Sequence, residues 1–406
     1  MSLDIKPVVS SLLRNRTGAV LVAIQIAIAL AVLVNAVFIV HQRIERMGRP
    51  THIDDKNLFG VRIAEFTDRY NYDASVQEDL TWLRSLPGVV SASISNSIPL
   101  GISGSAMTAY TQPDRKGNRA QLNYFTMDEQ GLKTLGVRLL AGRAFRADEI
   151  LPPLSRQHIN DFVPQLIITQ SVAETLFPHE NALGRTVYTS QNQPATITGI
   201  MDNMIGTGWP GYEAPDHVAI MPQLPRIYGF TYLVRTAPGA RDRVMRVAEE
   251  HLPVSNPDRV VKSVRSVEFY KQQLYLDDRS MEIFLITVTG LLLAIACLGI
   301  FGLATFNVST RTRQIGTRRA VGARKTDIVR YFMIENGLIT TAGIVTGCAL
   351  ALATGYWLSV QYHLPRLDLY YLVGGVLTLW LIGQLAAWQP ARKASTVSPS
   401  VATRTV

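Results

Sequence analysis

Apolar and polar positions divide this chain into long uncharged runs and one large mixed block. Residues 17–40, 283–310, 336–365 and 369–391 contain no Asp, Glu, Lys or Arg. A hydrocarbon core about 30 Å thick is crossed by roughly 20 apolar residues in a helix, so each run is long enough to span. The pattern predicts membrane spans over 17–41, 282–310, 336–360 and 369–390. Three short pieces, 1–16, 311–335 and 391–406, fall on one side. Residues 42–281 and a short loop, 361–368, fall on the other. The first run is longer than the apolar core of a cleaved signal, and no small-residue cleavage site follows it, so it reads as an uncleaved anchor.

Within 1–16, Ile5, Val8, Val9, Leu12 and Leu13 keep helical spacing and predict an amphipathic helix lying in the inner interface. The block 42–281 repeats a strand–helix–strand grammar. A strand over 58–66 precedes a helix over 74–86, stopped by Pro87-Gly88, and a strand over 89–95 follows. The same order recurs as 166–169, 171–177 and 195–200, and again as 230–235, 241–251 and 260–264. A mixed α/β domain between the first and second spans is expected, making the chain an α+β membrane protein. The Gly- and Pro-rich stretch 202–230 reads as a long loop. Residues 42–47 and 266–282 read as helical extensions of the first and second spans, a paired stalk under the domain.

The net charge is +9, which by itself would suggest a nucleic-acid partner. Its distribution excludes that class. The pieces 1–16, 311–335 and 392–406 carry thirteen Lys/Arg against Asp4, Asp327 and Glu335, whereas the large block is nearly balanced. The excess is where the positive-inside rule places cytoplasmic segments. Both cysteines, Cys297 and Cys348, lie within spans as packing residues, so no disulfide framework holds the large block.

Recognisable catalytic chemistry is missing. The sequence has no G-x-x-x-x-G-K-[ST], H-E-x-x-H or G-x-S-x-G pattern, and its seven histidines show no ligand spacing. No span carries a charged residue at mid-depth to relay ions or protons. The chain is therefore expected to be no enzyme and to hold no metal or cofactor. In the third span, Gly343, Gly347, Ala351 and Gly355 recur every fourth residue, a stripe that lets helices approach closely, either within the chain or at a dimer face.

The segment 311–335 is the most specific. Ile315, Arg318, Arg319 and Gly322 extend the second span as a helix, Gly322-Ala323 breaks it, and a helix over 326–335 feeds the third span. The seven basic residues would suffice to fix topology, but Ile315-Gly316 and Ala320-Val321-Gly322-Ala323 are unnecessary for that. A helix–turn–helix knob of this kind suits docking into a cytosolic partner.

The string RTRQIGTRRAVGAR (311–324), followed by Ile328, Phe332 and Glu335, closely resembles the R-x-x-E-I-G-x-x-R-A-x-G-A pattern of FtsX-like, MacB-type ABC transporter permeases. Pro390-Ala-Arg-Lys-Ala with Ser398-Pro399 resembles the closing motif of that family. Leu86-Pro-Gly-Val, Gly142-Arg143-Ala-Phe145 and Leu183-Gly184-Arg extend the likeness across the block. Gln314 stands where the family usually has Glu. The resemblance implies a permease subunit in a bacterial inner membrane, with both termini cytoplasmic and the MacB-like domain periplasmic. It also implies a dimer of permeases, identical or not, and a separate cytosolic ABC ATPase that supplies ATP and Mg. A periplasmic adaptor or substrate protein is a further implied partner. Arg311, Arg313, Gln314, Ile315, Gly316, Arg318, Arg319, Ala320, Gly322 and Ala323 are the residues implied to couple to the ATPase. In such transporters ATP-driven movement is passed to the outer domain to expel antimicrobial, peptide or other amphipathic substrates. Lipoprotein release of the LolC/LolE type and FtsX-like signalling share the architecture and remain alternatives.

Overall fold

A computed structural model describes residues 16–67, 69–153, 164–207, 214–226, 229–362 and 365–398. Apart from Arg16, the helix expected over 1–16 lies outside these residues, as do Trp209, Pro210 and Gly211 of the Gly- and Pro-rich stretch. The chain divides after Gly48 and again after Asp277 into a helical unit and an α/β unit.

In chain order the helices are α1 (Arg16–Gly48), α2 (Tyr72–Ser85), α3 (Gly131–Leu135), α4 (Gln170–Leu176), α5 (Arg241–Ser255), α6 (Val267–Leu274), α7 (Leu276–Thr310), α8 (Thr312–Ala320), α9 (Lys325–Tyr362) and α10 (Leu369–Ala394). The strands are β1 (Leu58–Glu65), β2 (Val89–Ser95), β3 (Ser105–Gln112), β4 (Lys116–Met127), β5 (Leu139–Gly142), β6 (Gln165–Thr169), β7 (Thr186–Thr189), β8 (Pro194–Met201), β9 (Val218–Pro222), β10 (Phe230–Thr236) and β11 (Arg259–Ser266).

In the α/β unit, β10 lies between β1 and β2 and is antiparallel to both, with β11 on the outer edge of β1. Asn71 caps α2, its side chain accepting from the Ala74 amide at 3.3 Å. Val76, Leu80 and Leu83 of α2 and Val244, Ala248 and Leu252 of α5 pack on one face of these strands. There Arg259 pairs with Asp79, whose Oδ2 also accepts the Tyr232 hydroxyl at 2.7 Å. Two buried charges and a buried hydroxyl thus satisfy one another. Further along, parallel pairing of β4 with β9 closes β4-β3-β7-β8-β6-β9 into a ring.

Two expectations are corrected. The stretch 202–230 is not loop throughout, because β9 lies within it and every one of its residues is buried. Its side chains alternate between two cores: Val218 and Ile220 join one, Ala219 and Met221 the other. A strand buried on both faces shows no polar alternation. The continuous helix over 266–282 is interrupted at Tyr275, between α6 and α7. Ser266 caps α6, Val267 is fully buried with Tyr270 and Leu274 packed on the same core, and Lys271 lies 3.0 Å from Asp55. These contacts commit α6 to the α/β unit.

In the helical unit, α1, α7, α9 and α10 are long and apolar enough to cross a membrane. Of its most apolar stretch, α1 buries 56% within the chain and α7 only 17%, so α1 is the helix the others pack around. The small-residue stripe faces it. A Cβ on Gly343 would lie 2.7 Å from the Ala23 carbonyl, and one on Gly347 would lie 3.0 Å from Ala27 Cα. Ala351 is fully buried, its carbonyl accepting from Asn35 Nδ2 at 3.2 Å, and a Cβ on Gly355 would lie 3.1 Å from Asn35 Oδ1. Near the other end of α1, Arg43 pairs with Asp278 of α7.

Candidate functional site

The helices α7 and α9 are joined by α8 and a tight turn. Arg311 interrupts the helical path after Thr310, and α8 runs back along the first turns of α9. At its far end Gly322 adopts a φ of +103°, a conformation glycine reaches without a Cβ clash. The Ala323 amide donates to the Arg318 carbonyl at 3.0 Å and the Gly322 amide to the Arg319 carbonyl at 3.1 Å, so the helix end is satisfied. Asp327 Oδ2 accepts from the Arg324 amide at 3.0 Å and caps the start of α9.

The hairpin has its own small core. Ile315, Ile328 and Phe332 are buried with Ala391 and Ala394 of α10, and Val308, Val329, Met333 and Val397 pack against them. The C-terminal end of α10 is thus a third wall of the knob. Arg319 Nη1 donates to the Val397 carbonyl. At the base, Arg311 Nη1 reaches both Glu335 oxygens, at 3.0 and 3.1 Å. The Arg318 guanidinium lies over the Tyr331 ring, 4.8 Å from its centre. A shallow groove between α8 and α9 is lined by Arg311, Gln314, Ile315, Arg318, Ile328, Tyr331 and Phe332.

The residues singled out in the sequence separate into two groups. Arg313, Gln314, Arg318, Ala320 and Gly322 are exposed; Arg311, Arg319 and Ala323 are half-buried. Ile315 and Gly316 are buried. Val321, named in the string Ala320-Val321-Gly322-Ala323 but not among the residues implied to couple, is 84% exposed at the tip. A valine next to a turn glycine, amid arginines, was the available signal. Ala391 and Ala394, expected in the tail as part of the closing motif, instead belong to α10 and pack on the hairpin core. Among the described residues, no three or more His, Cys, Asp or Glu side chains converge on a metal-sized site.

The sequence matches the family described as MacB-like periplasmic core domain over residues 19–250, and that described as FtsX-like permease C-terminal over 286–399. A macrolide export ATP-binding/permease protein MacB of Bartonella quintana (strain Toulouse) is 26% identical over 290 residues, covering 68% of this chain and 41% of that protein. MacB of Escherichia coli (strain K12) is 25% identical over 271 residues, covering 60% of this chain and 39% of that protein. The chain therefore spans about two fifths of the length of these relatives. Among solved structures, the periplasmic region of MacB from Actinobacillus actinomycetemcomitans aligns with 56% of this chain and 97% of its own length, at 15% identity and a TM-score of 0.33.

Proposed function

This chain belongs to the family of ABC transporter permeases with a MacB-like periplasmic core domain and an FtsX-like permease C-terminal region, and from that premise we propose that it couples a cytosolic ATPase to movement of its α/β domain. In this reading the 311–335 hairpin docks on an ABC ATPase carried by a separate chain, which supplies ATP and Mg. Closing of the ATPase pair shifts the knob, α7 and α9 carry the shift along the spans, and the α/β domain expels substrate held outside the membrane. The substrate class is an antimicrobial, a peptide or another amphipathic molecule. A second permease, identical or different, completes the assembly, and a periplasmic adaptor or substrate protein is a further partner. The site of action is a bacterial inner membrane, with both termini cytoplasmic and the α/β domain outside.

The observation that carries this reading is the packing of the hairpin into one body. A loop that only fixed topology would need its charges and little else. Here α8 is held by an ion pair at the base, an apolar core and a bond to the C-terminal segment. Force applied at the tip then displaces α8 and α9 together, since close-packed interiors transmit displacement. On the docking side, Arg313, Gln314 and Arg318 offer exposed polar groups; with Gln at 314, this edge contributes no negative charge to the contact.

The test is purification of the tagged chain from its native membrane in mild detergent, with assay of ATP hydrolysis. An ABC ATPase that co-purifies and hydrolyses ATP is the expected result. A chain that emerges alone and inert contradicts the reading.

A further inference from the structure

Val321 is an apolar side chain held out into water. It follows α8 directly, its amide bonds back to Thr317 at 3.1 Å, and 84% of its surface is exposed. It stands apart from the exposed apolar residues of α1, α7, α9 and α10, which belong to helices long and apolar enough to cross a membrane. The nine residues of α8 extend on the order of 14 Å beyond Arg311 at about 1.5 Å per residue. The hairpin runs antiparallel to α9, so its tip points away from the spans. Arg318, Arg324 and Lys325 lie next to Val321 in the chain, all exposed. Among the described residues none of the three forms an ion pair with a carboxylate. Asp327, close by in the chain, has its Oδ2 turned to the Arg324 amide.

We propose that Val321 is the anchor of the docking surface, seated in an apolar socket whose rim carries carboxylates on the cytosolic ATPase. The inference rests on the coupling reading above and adds the chemistry of the contact. A small apolar group flanked in the chain by exposed cations that lack a carboxylate partner matches the usual division of an interface into a dry centre, which supplies affinity, and a charged rim, which supplies approach rate and register. Gly322 beside it adds no side chain to the tip, and the space where its Cβ would be is open. Arg319 is turned away from the rim, to the Val397 carbonyl, and acts on the inside of the knob.

The test uses the full chain purified with its ATPase from the native membrane. Because the side chain is exposed, V321N and V321I leave the fold unchanged, which thermal unfolding in detergent checks. V321N is expected to lower the ATPase retained on the chain by about tenfold or more, and V321I by less than about twofold. Retention by the wild-type chain is expected to fall as salt rises, through the cationic rim. A V321C chain treated with a membrane-impermeant maleimide is expected to be labelled in inside-out vesicles stripped of ATPase and protected once the ATPase is restored. Wild-type retention of the ATPase that survives intact in V321N overturns the anchor while leaving the coupling reading standing. Protection of the V321C site in stripped vesicles also overturns it, assigning the tip to the lipid surface. A wild-type chain that retains no ATPase defeats the coupling reading itself.

Discussion

Arg311 Nη1 and Glu335 Oε1 lie 3.0 Å apart, with the Glu335 side chain only 3% exposed, and this pair ties the root of α8 to α9. It sits where helices of span length give way to the hairpin. Breaking a buried pair by removing one partner leaves an uncompensated charge and costs roughly 3–5 kcal/mol. R311M is therefore expected to loosen α8, seen as faster amide hydrogen exchange over Thr312–Ala320, with ATP hydrolysis retained and transport lost. R311K, which keeps the charge, is expected to lie between R311M and the wild-type chain.

The third wall of the knob makes a separate prediction. Ala394 is fully buried against the hairpin core. Inserting methylenes into such a site costs about 1–3 kcal/mol. A394L should displace the C-terminal segment from Arg319 and raise proteolytic cleavage after Lys393, while the far end of α10 stays protected. Unchanged proteolysis would mean that the segment is not held by this contact.

Close approach of α1 and α9 depends on the glycine stripe. A Cβ at Gly347 would press on Ala27 and Leu30, whereas one at Gly290 of α7 or Gly374 of α10 meets nothing within 4 Å in the chain. G347L is expected to lower the unfolding midpoint in detergent by the equivalent of about 1–3 kcal/mol or more, and G374L to leave it unchanged. If G290L changes the oligomeric state without changing the midpoint, the open face of α7 meets a second permease.

Asp128 gives the α/β unit a pH dependence. Burial pushes its carboxyl up to about 6, against the opposing pull of the Ser93 hydroxyl and Arg84. A carboxyl raised on folding binds its proton more tightly in the folded chain than in the unfolded one. Its contribution is fully present below about pH 4 and is lost as pH rises through about 6. Relative to D128N, the wild-type chain should lose on the order of 3 kcal/mol of stability between those values. Unfolding midpoints of the two full chains, measured across that range, should converge at low pH and separate above it. Parallel curves would show that Asp128 does not titrate there.

The spans were legible because more than twenty uncharged residues in a row admit few alternatives, and the hairpin because Gly322 interrupts a helical pattern at one point. The strand–helix–strand runs around β1, β6 and β10 showed in their alternation. Short β9 did not, since Val218–Pro222 is buried on both faces and sits among Gly and Pro. The break at Tyr275 was hidden because the charged residues on either side suit a helix. What ends α6 is the commitment of Val267, Tyr270 and Leu274 to the core of the α/β unit. Within the knob, sequence marked Ile315 and Gly316 together with Gln314 and Arg318. Inside and outside differ there by one helical step, which only the packing against Ile328 and Ala394 decides.

The most direct measurement is hydrogen exchange of the purified chain–ATPase complex, with ATP bound and with ADP bound. Coupling predicts that exchange changes together in α8 and in the α/β unit, around α6 and β11, and that R311M abolishes the second change while sparing the ATPase. A nucleotide response confined to α8, with the α/β unit unaltered, would contradict the account.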